Sequence, residues 1–326
     1  MEIASRCADT TPRRAFTSWA KDSYDLVWFL PLAPFVWLGR PSLGPTVIDL
    51  DNLESEKERQ RARLMGAVHP GSGRLDRLRR SVATAQARLN ARDWDALQRS
   101  AAGQVDAVVL CSAVDVRRSG LTDVSVIPNA YERPARHLGR AEVAVPPVVL
   151  FQGSLEYGPN ADAATWLAKE IAGRIISRVP GAVIRLVGTC PPALAEQLHS
   201  PPSVTVVGRV PDMDPELAKA DLAVVPLRSG SGTRLKILES FAHRIPVVST
   251  ALGAEGLDIE AGTHYLRADD PDSFADACQQ LLTDTDLRRR LADAAEQRYL
   301  QRYEWELVKE KIKDIARAVA TPDSSA

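Results

Sequence analysis

The chain has 326 residues, 45% of them hydrophobic and 25% charged, with a formal net charge of −1. That length and apolar content suffice for about two domains with cores of their own, and the near-neutral balance gives no electrostatic reason to expect a nucleic-acid partner. Four dispersed cysteines, Cys7, Cys111, Cys190 and Cys278, form no Cys-x-x-Cys pair and have no histidine cluster beside them, which speaks against a structural zinc site or a disulfide framework and fits a reducing cytosol.

The first twenty residues are polar and lack the apolar core of a secretory signal. The apolar stretch 25–39 is too short to span a bilayer and contains Pro31 and Pro34. It reads as a strand, a turn and a short helix; a membrane-surface role for its aromatics is the second reading. Continuous apolar runs at 25–30, 46–50, 106–110 and 124–128 read as parallel strands covered on both faces. Residues 53–65 and 75–102 are helical in composition, broken at His69-Pro-Gly-Ser-Gly73. Asp51 and Asn52 follow a strand end, where they serve either as a helix N-cap or at a site.

Residues 59–99 hold ten arginines against three acids in a nearly neutral chain. Two readings stay open: a solvated helix face, or a surface turned to anionic lipid or to an anionic, lipid-linked acceptor. The location to expect is therefore the cytoplasm, peripheral at the inner membrane face under the second reading. Residues 130–147 carry Pro134 and the pair Pro146-Pro147 without a clear period, which marks a linker. The first domain is accordingly 1–135 and the second 136–302. A helix follows at 303–320 and a disordered tail at 321–326.

The second half alternates strands and helices. Strands are expected at 148–152, 183–187, 204–207, 222–226, 246–249 and 263–267. Helices are expected at 161–177, 192–198, 215–219 and 233–242, with two or three more over 271–319. This alternation predicts a doubly wound parallel sheet whose ligands bind at the carboxyl ends of the strands.

One segment concentrates the chemistry: Pro226-Leu-Arg-Ser-Gly-Ser-Gly-Thr-Arg-Leu-Lys-Ile-Leu-Glu239. It reads as a strand end, a glycine-rich loop and a helix. Gly230 and Gly232 permit a tight turn and a close ligand approach. The amides and positive dipole end of the helix suit a diphosphate. Lys236 lies one turn in, and Glu239 follows on the same face, where a carboxylate can accept two ribose hydroxyls. The bland alternatives are turn glycines and a surface ion pair.

Gly-Ser-Gly-Thr-Arg-Leu-Lys-Ile-Leu-Glu-Ser-Phe-Ala, followed by Ile-Pro-Val-Val-Ser-Thr-Ala-Leu-Gly-Ala-Glu-Gly-Leu, resembles the donor-site signature of family 4 retaining glycosyltransferases (glycosyl transferases group 1). Phe151-Gln-Gly-Ser-Leu-Glu-Tyr-Gly-Pro-Asn-Ala-Asp162 resembles that family's first loop of the second domain, and Val206-Val-Gly-Arg-Val-Pro211 the stretch beside the base. Ile127-Pro-Asn-Ala130 resembles the element that closes the first domain. The resemblance runs over about residues 24–305.

It implies an α/β fold of the GT-B type, two Rossmann-like domains facing across a cleft, with the helix 303–320 crossing back to the first. It implies a nucleotide-sugar donor, and a carbohydrate, lipid-linked or small-molecule acceptor. No metal and no cofactor beyond the co-substrate are expected. Glu239 would bind the ribose. The backbone around Gly230, Ser231, Gly232 and Thr233 would hold the diphosphate. Gly153 would admit the donor to the sheet edge, Gly208, Arg209 and Val210 would meet the base, and residues 249–256 would line the wall behind the phosphates. The sequence departs from the family in three places. Ser231 stands where many members have a first glutamate. Residues 153–165 contain neither Arg nor Lys, leaving Lys236, Arg234 or Arg228 to neutralise the phosphates. No strand and glycine-rich loop precede residue 24, so the first domain is expected to be shortened or incomplete. The rival readings are a donor-binding but catalytically weak protein and a nucleotide-sugar 2-epimerase. A dinucleotide oxidoreductase is disfavoured, because no G-x-G-x-x-G follows the first strand of either domain. No general base is assigned.

Overall fold

The structure is a computed structural model that describes residues 11–66, 74–140, 142–230 and 234–321. The chain divides into two compact units, Met1–Pro128 together with Lys309–Ala326, and Asn129–Val308. The helix break expected at 69–73 and residues 322–326 of the expected tail lie outside the described residues.

The first unit opens with α1 (Thr11–Trp19), which the polar sequence did not signal. Pro12 sits in its first turn, where a missing N–H costs nothing, and Phe16 meets Trp19 edge-on at 5.1 Å. Then come β1 (Val27–Phe29), α2 (Leu32–Trp37), β2 (Thr46–Asp49), α3 (Glu54–Gly66), α4 (Arg74–Ala102), β3 (Ala107–Leu110), α5 (Ala113–Ser119) and β4 (Val124–Val126). The strands pair in parallel in the order β1-β2-β3-β4. The Asp106 carboxylate accepts the Thr46 N–H at 2.7 Å and ties the start of β2 to that of β3. Phe29, Leu32, Phe35, Ile48, Leu53 and Leu110 form the buried centre. α5 was also not foreseen. It is short, and its signals are local: Ser112 caps it by accepting from the Asp115 N–H, and Gly120 ends it in the left-handed region. The first carbonyl to accept bonds in α3 is that of Leu53, so Asp51 and Asn52 lie before the cap position and not in it.

α3 and α4 pack against each other through Thr84, Ala87, Ala91 and Gln98 of α4, all buried. The arginines of α3 find acids close by. Arg59 pairs with Asp95 and Glu56, Arg63 with Glu56, and Arg61 with Glu58.

The second unit contains β5 (Val148–Gln152), α6 (Gly158–Trp166), a π turn (Leu167–Ile171), α7 (Ala172–Arg178), β6 (Val183–Val187), α8 (Pro192–Leu198), β7 (Val204–Gly208), α9 (Asp214–Leu217) and β8 (Leu222–Val225). It continues with α10 (Leu235–Ala242), β9 (Val247–Ser249), β10 (Leu266–Arg267), α11 (Pro271–Thr283), α12 (Thr285–Arg302) and α13 (Trp305–Ala320), which belongs to the first unit from Lys309 onward. Its six strands are parallel in the order β10-β9-β8-β5-β6-β7. The winding reverses between β5 and β8, and a crevice opens at the carboxyl ends of strands at such a reversal.

Two elements differ from expectation. The helix expected at 161–177 is interrupted by the π turn, whose wider turn brings Trp166, Leu167, Ile171 and Ile175 all to the core. The strand expected at 263–267 shrinks to two residues, because His264 Nδ1 accepts from the Glu260 N–H at 2.9 Å and holds a turn instead. At the base of β5, the buried Asp221 carboxylate accepts from the Ala144 and Val148 amides at 2.9 and 2.7 Å. Arg288, 4.0 Å from Asp221, donates to the Arg140 carbonyl. Asp270 and Asp284 cap α11 and α12.

Candidate functional site

Three neighbouring strands run into glycine at the sheet's carboxyl edge. β5 is followed by Gly153 and β6 by Gly188, and β7 ends on Gly208, at φ +144°, +139° and +83°. L side chains rarely adopt such values. A Cβ on Gly188 would lie 2.2 Å from the Gly153 carbonyl oxygen, so the two loops meet backbone to backbone. Gly153 donates to Val187 O and Gly188 to Gly208 O, which fixes the ledge. No side chain projects from these three positions, and a ligand can lie flat against the backbone.

α10 closes the ledge from the far side of the reversal. Its amphipathic pattern buries Ile237, Leu238, Phe241 and Ala242 and sends Lys236 and Glu239 toward the end of β5. Lys236 Nζ donates to Asn160 Oδ1 at 3.0 Å and stands 4.7 Å from the centre of the Phe151 ring. A Cβ on Gly153 would come within 3.0 Å of that ammonium. Burial, and next the charge of Arg234, lower the Lys236 pKa to about 7, with Glu239 pulling the other way. Arg234, itself buried, donates to the Gly230 carbonyl at 2.6 Å and draws the ends of the glycine-rich loop together.

Glu239 is held at both oxygens. Tyr131 donates its hydroxyl to Oε1 at 3.1 Å, and Gln152 its amide to Oε2 at 2.7 Å. Burial raises the carboxyl pKa, and these two hydrogen bonds oppose the rise. Tyr131 is pushed well up in turn, by burial and by the Glu239 charge. Gln152 Oε1 is buried with no hydrogen-bond partner among the described residues. One turn past Glu239, His243 lies edge-on to Tyr131 at 6.1 Å, and burial lowers its pKa. With Asp214, Arg133 and Arg136, these two rings line a cavity of about 720 Å³.

The structure thus brings Gly153, Lys236 and Glu239 together at the reversal. Gly230 and Arg234 lie at the loop that leads into α10. Gly208 is on the ledge; beyond it Arg209 is exposed and Val210 half-buried. Ser231, Gly232 and Thr233 lie outside the described residues. Arg228 is directed elsewhere: its guanidinium pairs with Asp162 at 2.6 and 3.1 Å and lies 5.1 Å from the Trp166 ring centre. The wall at 249–256 is tight, for Thr250 Oγ1 donates to Leu227 O and accepts from the Gly253 N–H. Gln152, Asn160 and Tyr131 were not singled out from sequence. Gln152 had a faint signal, as the one amide closing an otherwise apolar strand.

Residues 146–284 match the family described as Glycosyl transferases group 1. Over 104 residues the chain is 35% identical to the D-inositol 3-phosphate glycosyltransferase of Corynebacterium urealyticum. That alignment takes in 31% of this chain and 24% of the relative, so the chain matches about a quarter of the relative's length. Among solved structures, sucrose-phosphate synthase from Thermosynechococcus elongatus superposes with a TM-score of 0.69 at 18% identity, covering 94% of this chain and 77% of the other. HepE from Anabaena, solved with UDP-glucose, gives 0.62 at 14% identity, covering 97% and 82%. At these identities the likeness is one of fold, an α/β fold of the GT-B type with parallel sheets.

Proposed function

We propose that this protein transfers a sugar from a nucleotide-diphosphate sugar to an acceptor hydroxyl, with retention of anomeric configuration and without a bound metal. The observation that carries the reading is the placing of Lys236 and Glu239 over the backbone ledge at Gly153, at the winding reversal and inside the segment that matches the glycosyltransferase family. The donor diphosphate would lie on the amide end of α10 between Arg234 and Lys236. These two cations take the part of those absent from 153–165. As the diphosphate departs, its charge grows, and fixed positive groups in a site poor in water stabilise it. Each Glu239 oxygen already accepts one hydrogen bond and keeps capacity for a ribose hydroxyl. Gly208, Arg209 and Val210 would meet the base through their main chain. HepE binds UDP-glucose and the corynebacterial relative is a glycosyltransferase, which favours a uridine-type donor and a small hydroxylated acceptor for the first trial.

The test is a calorimetric titration with UDP-, GDP- and ADP-sugars, followed by assays of hydrolysis and transfer. Glu239→Ala removes hydrogen bonds to a charged acceptor worth about 1.5–3 kcal/mol each. Donor affinity should fall by roughly two to four orders of magnitude if both bonds are made, with the fold intact by circular dichroism. Saturable binding with no hydrolysis or transfer would reduce the proposal to donor binding. Absence of binding to every donor by the folded wild type would overturn it.

A further inference from the structure

α4 has a buried face and an apolar face opposite it, and among the described residues the second stays exposed. Thr84, Ala87, Ala91, Gln98 and Ala101 recur at intervals of three, four and seven and are buried. On the opposite side Leu78, Val82, Ala85 and Leu89 recur at intervals of three and four, which returns each to a single line along the helix. Leu78, Val82 and Leu89 are 62, 63 and 52% exposed. Scattered exposed apolar residues need no explanation, but a continuous stripe of them does.

Charge runs beside the stripe. Arg77, Arg88, Arg92 and Arg99 fall along one flank, and all are exposed. α4 holds seven arginines against three aspartates, and one of those aspartates, Asp95, faces Arg59 of α3. The arginines of α3 lie beside their own glutamates, and the exposed row Arg77, Arg88, Arg92 and Arg99 of α4 carries the positive charge that stands beside the stripe. A second copy laid antiparallel on the stripe would set arginine row against arginine row, a repulsive pairing. An apolar line edged with arginine matches the boundary between acyl chains and anionic headgroups, where arginine stems snorkel and guanidinium groups meet phosphate.

We propose that α4 docks this protein on an anionic lipid surface, with Leu78, Val82 and Leu89 at the acyl boundary and Arg77, Arg88, Arg92 and Arg99 on the headgroups. The proposal does not depend on the transfer reaction. It specifies a membrane face as the place where the protein works.

Full-length protein is sedimented with vesicles of phosphatidylcholine alone, and with vesicles in which about one lipid in three is phosphatidylglycerol. The expected result is binding to the anionic vesicles only, weakening as salt rises from about 0.05 to 0.5 M. Arg88→Ala with Arg92→Ala should lower the partition coefficient by about fivefold per arginine, and Leu78→Gln with Leu89→Gln should release the protein. All these side chains face solvent, so circular dichroism and donor titration should be unchanged in both variants. That separates failure here from failure of the proposed activity. A wild type that ignores anionic vesicles at low salt, or binds neutral ones equally, overturns the proposal. So does a dimer in analytical ultracentrifugation that Leu78→Gln with Leu89→Gln converts to a monomer, since the stripe would then be covered by a second copy.

Discussion

Lys236 shows how one half-buried side chain couples donor binding to pH. Folded, it holds its proton only below about 7; unfolded, it does so below 10.5. Between those values the unfolded chain binds more protons, so stability contributed through this residue rises with pH; below about 7 the full penalty for a buried ammonium applies. Lys236→Met should therefore stabilise the protein at pH 6, by about 2–4 kcal/mol, with little effect above pH 10.5. Urea denaturation at the two pH values measures the difference, and equal gains at both would contradict the argument. A diphosphate beside Lys236 would favour the protonated form and raise its pKa on binding. Donor affinity should then fall above pH 7, by up to tenfold per unit. Titration in buffers of different ionisation enthalpy should show net proton uptake at pH 8. Glu239 is the counterpart residue. Its carboxyl pKa is raised, yet Tyr131 and Gln152 reach it across 108 and 87 residues of chain.

At the scale of elements, the ledge of strand ends separates glycines that look alike in sequence. A Cβ at Gly188 would strike the Gly153 carbonyl at 2.2 Å, and its φ is +139°. Gly188→Ala should cost roughly 3 kcal/mol or more, because both strain and a backbone clash must be relieved. At Gly208, φ is +83° and nothing lies within 4 Å of the added Cβ. Gly208→Ala should cost only about 1 kcal/mol, the conformational part alone. Chemical denaturation with an unchanged m-value distinguishes them, and equal losses would show that the loops are not locked backbone to backbone. The π turn at Leu167–Ile171 belongs to this scale too. The apolar period of 161–177 predicts a helix, but only the packing of Trp166 on Phe274, at 6.0 Å, reveals where an extra residue enters the turn.

For the whole molecule, the two units differ in how much core they hold. The second buries Phe151, Trp166, Leu167, Ile184, Phe241, Phe274 and Tyr299 in one large cluster around six strands, whereas the first centres on a smaller group around four. Calorimetry should resolve two transitions, the later one from the unit Asn129–Val308. A nucleotide-sugar donor at about one hundred times its Kd should raise only that later transition, by about 2.7 kcal/mol. A donor that shifts the earlier transition instead would place the site in the wrong unit.

The sequence by itself determined the alternation of strands and helices and the parallel sheets, and it set Lys236 and Glu239 on one face of a helix behind a glycine-rich loop. These follow from apolar runs, helical spacing and glycines that act over a few residues, whereas Gly153 was marked by the family resemblance alone. It also marked residues 59–99 as basic, but not which side of which helix bears the charge. Only the tertiary structure decided that Gln152 and Tyr131 hold Glu239 and that Asn160 and Phe151 meet Lys236. It also turned Arg228 away to Asp162 and left the stripe on α4 uncovered. The contacts at Glu239, Lys236 and Arg228 depend on which distant side chains arrive at the same place once the winding reverses between β5 and β8, which no local period in the chain records, and the stripe stays exposed because α4 packs within the first unit through its other face.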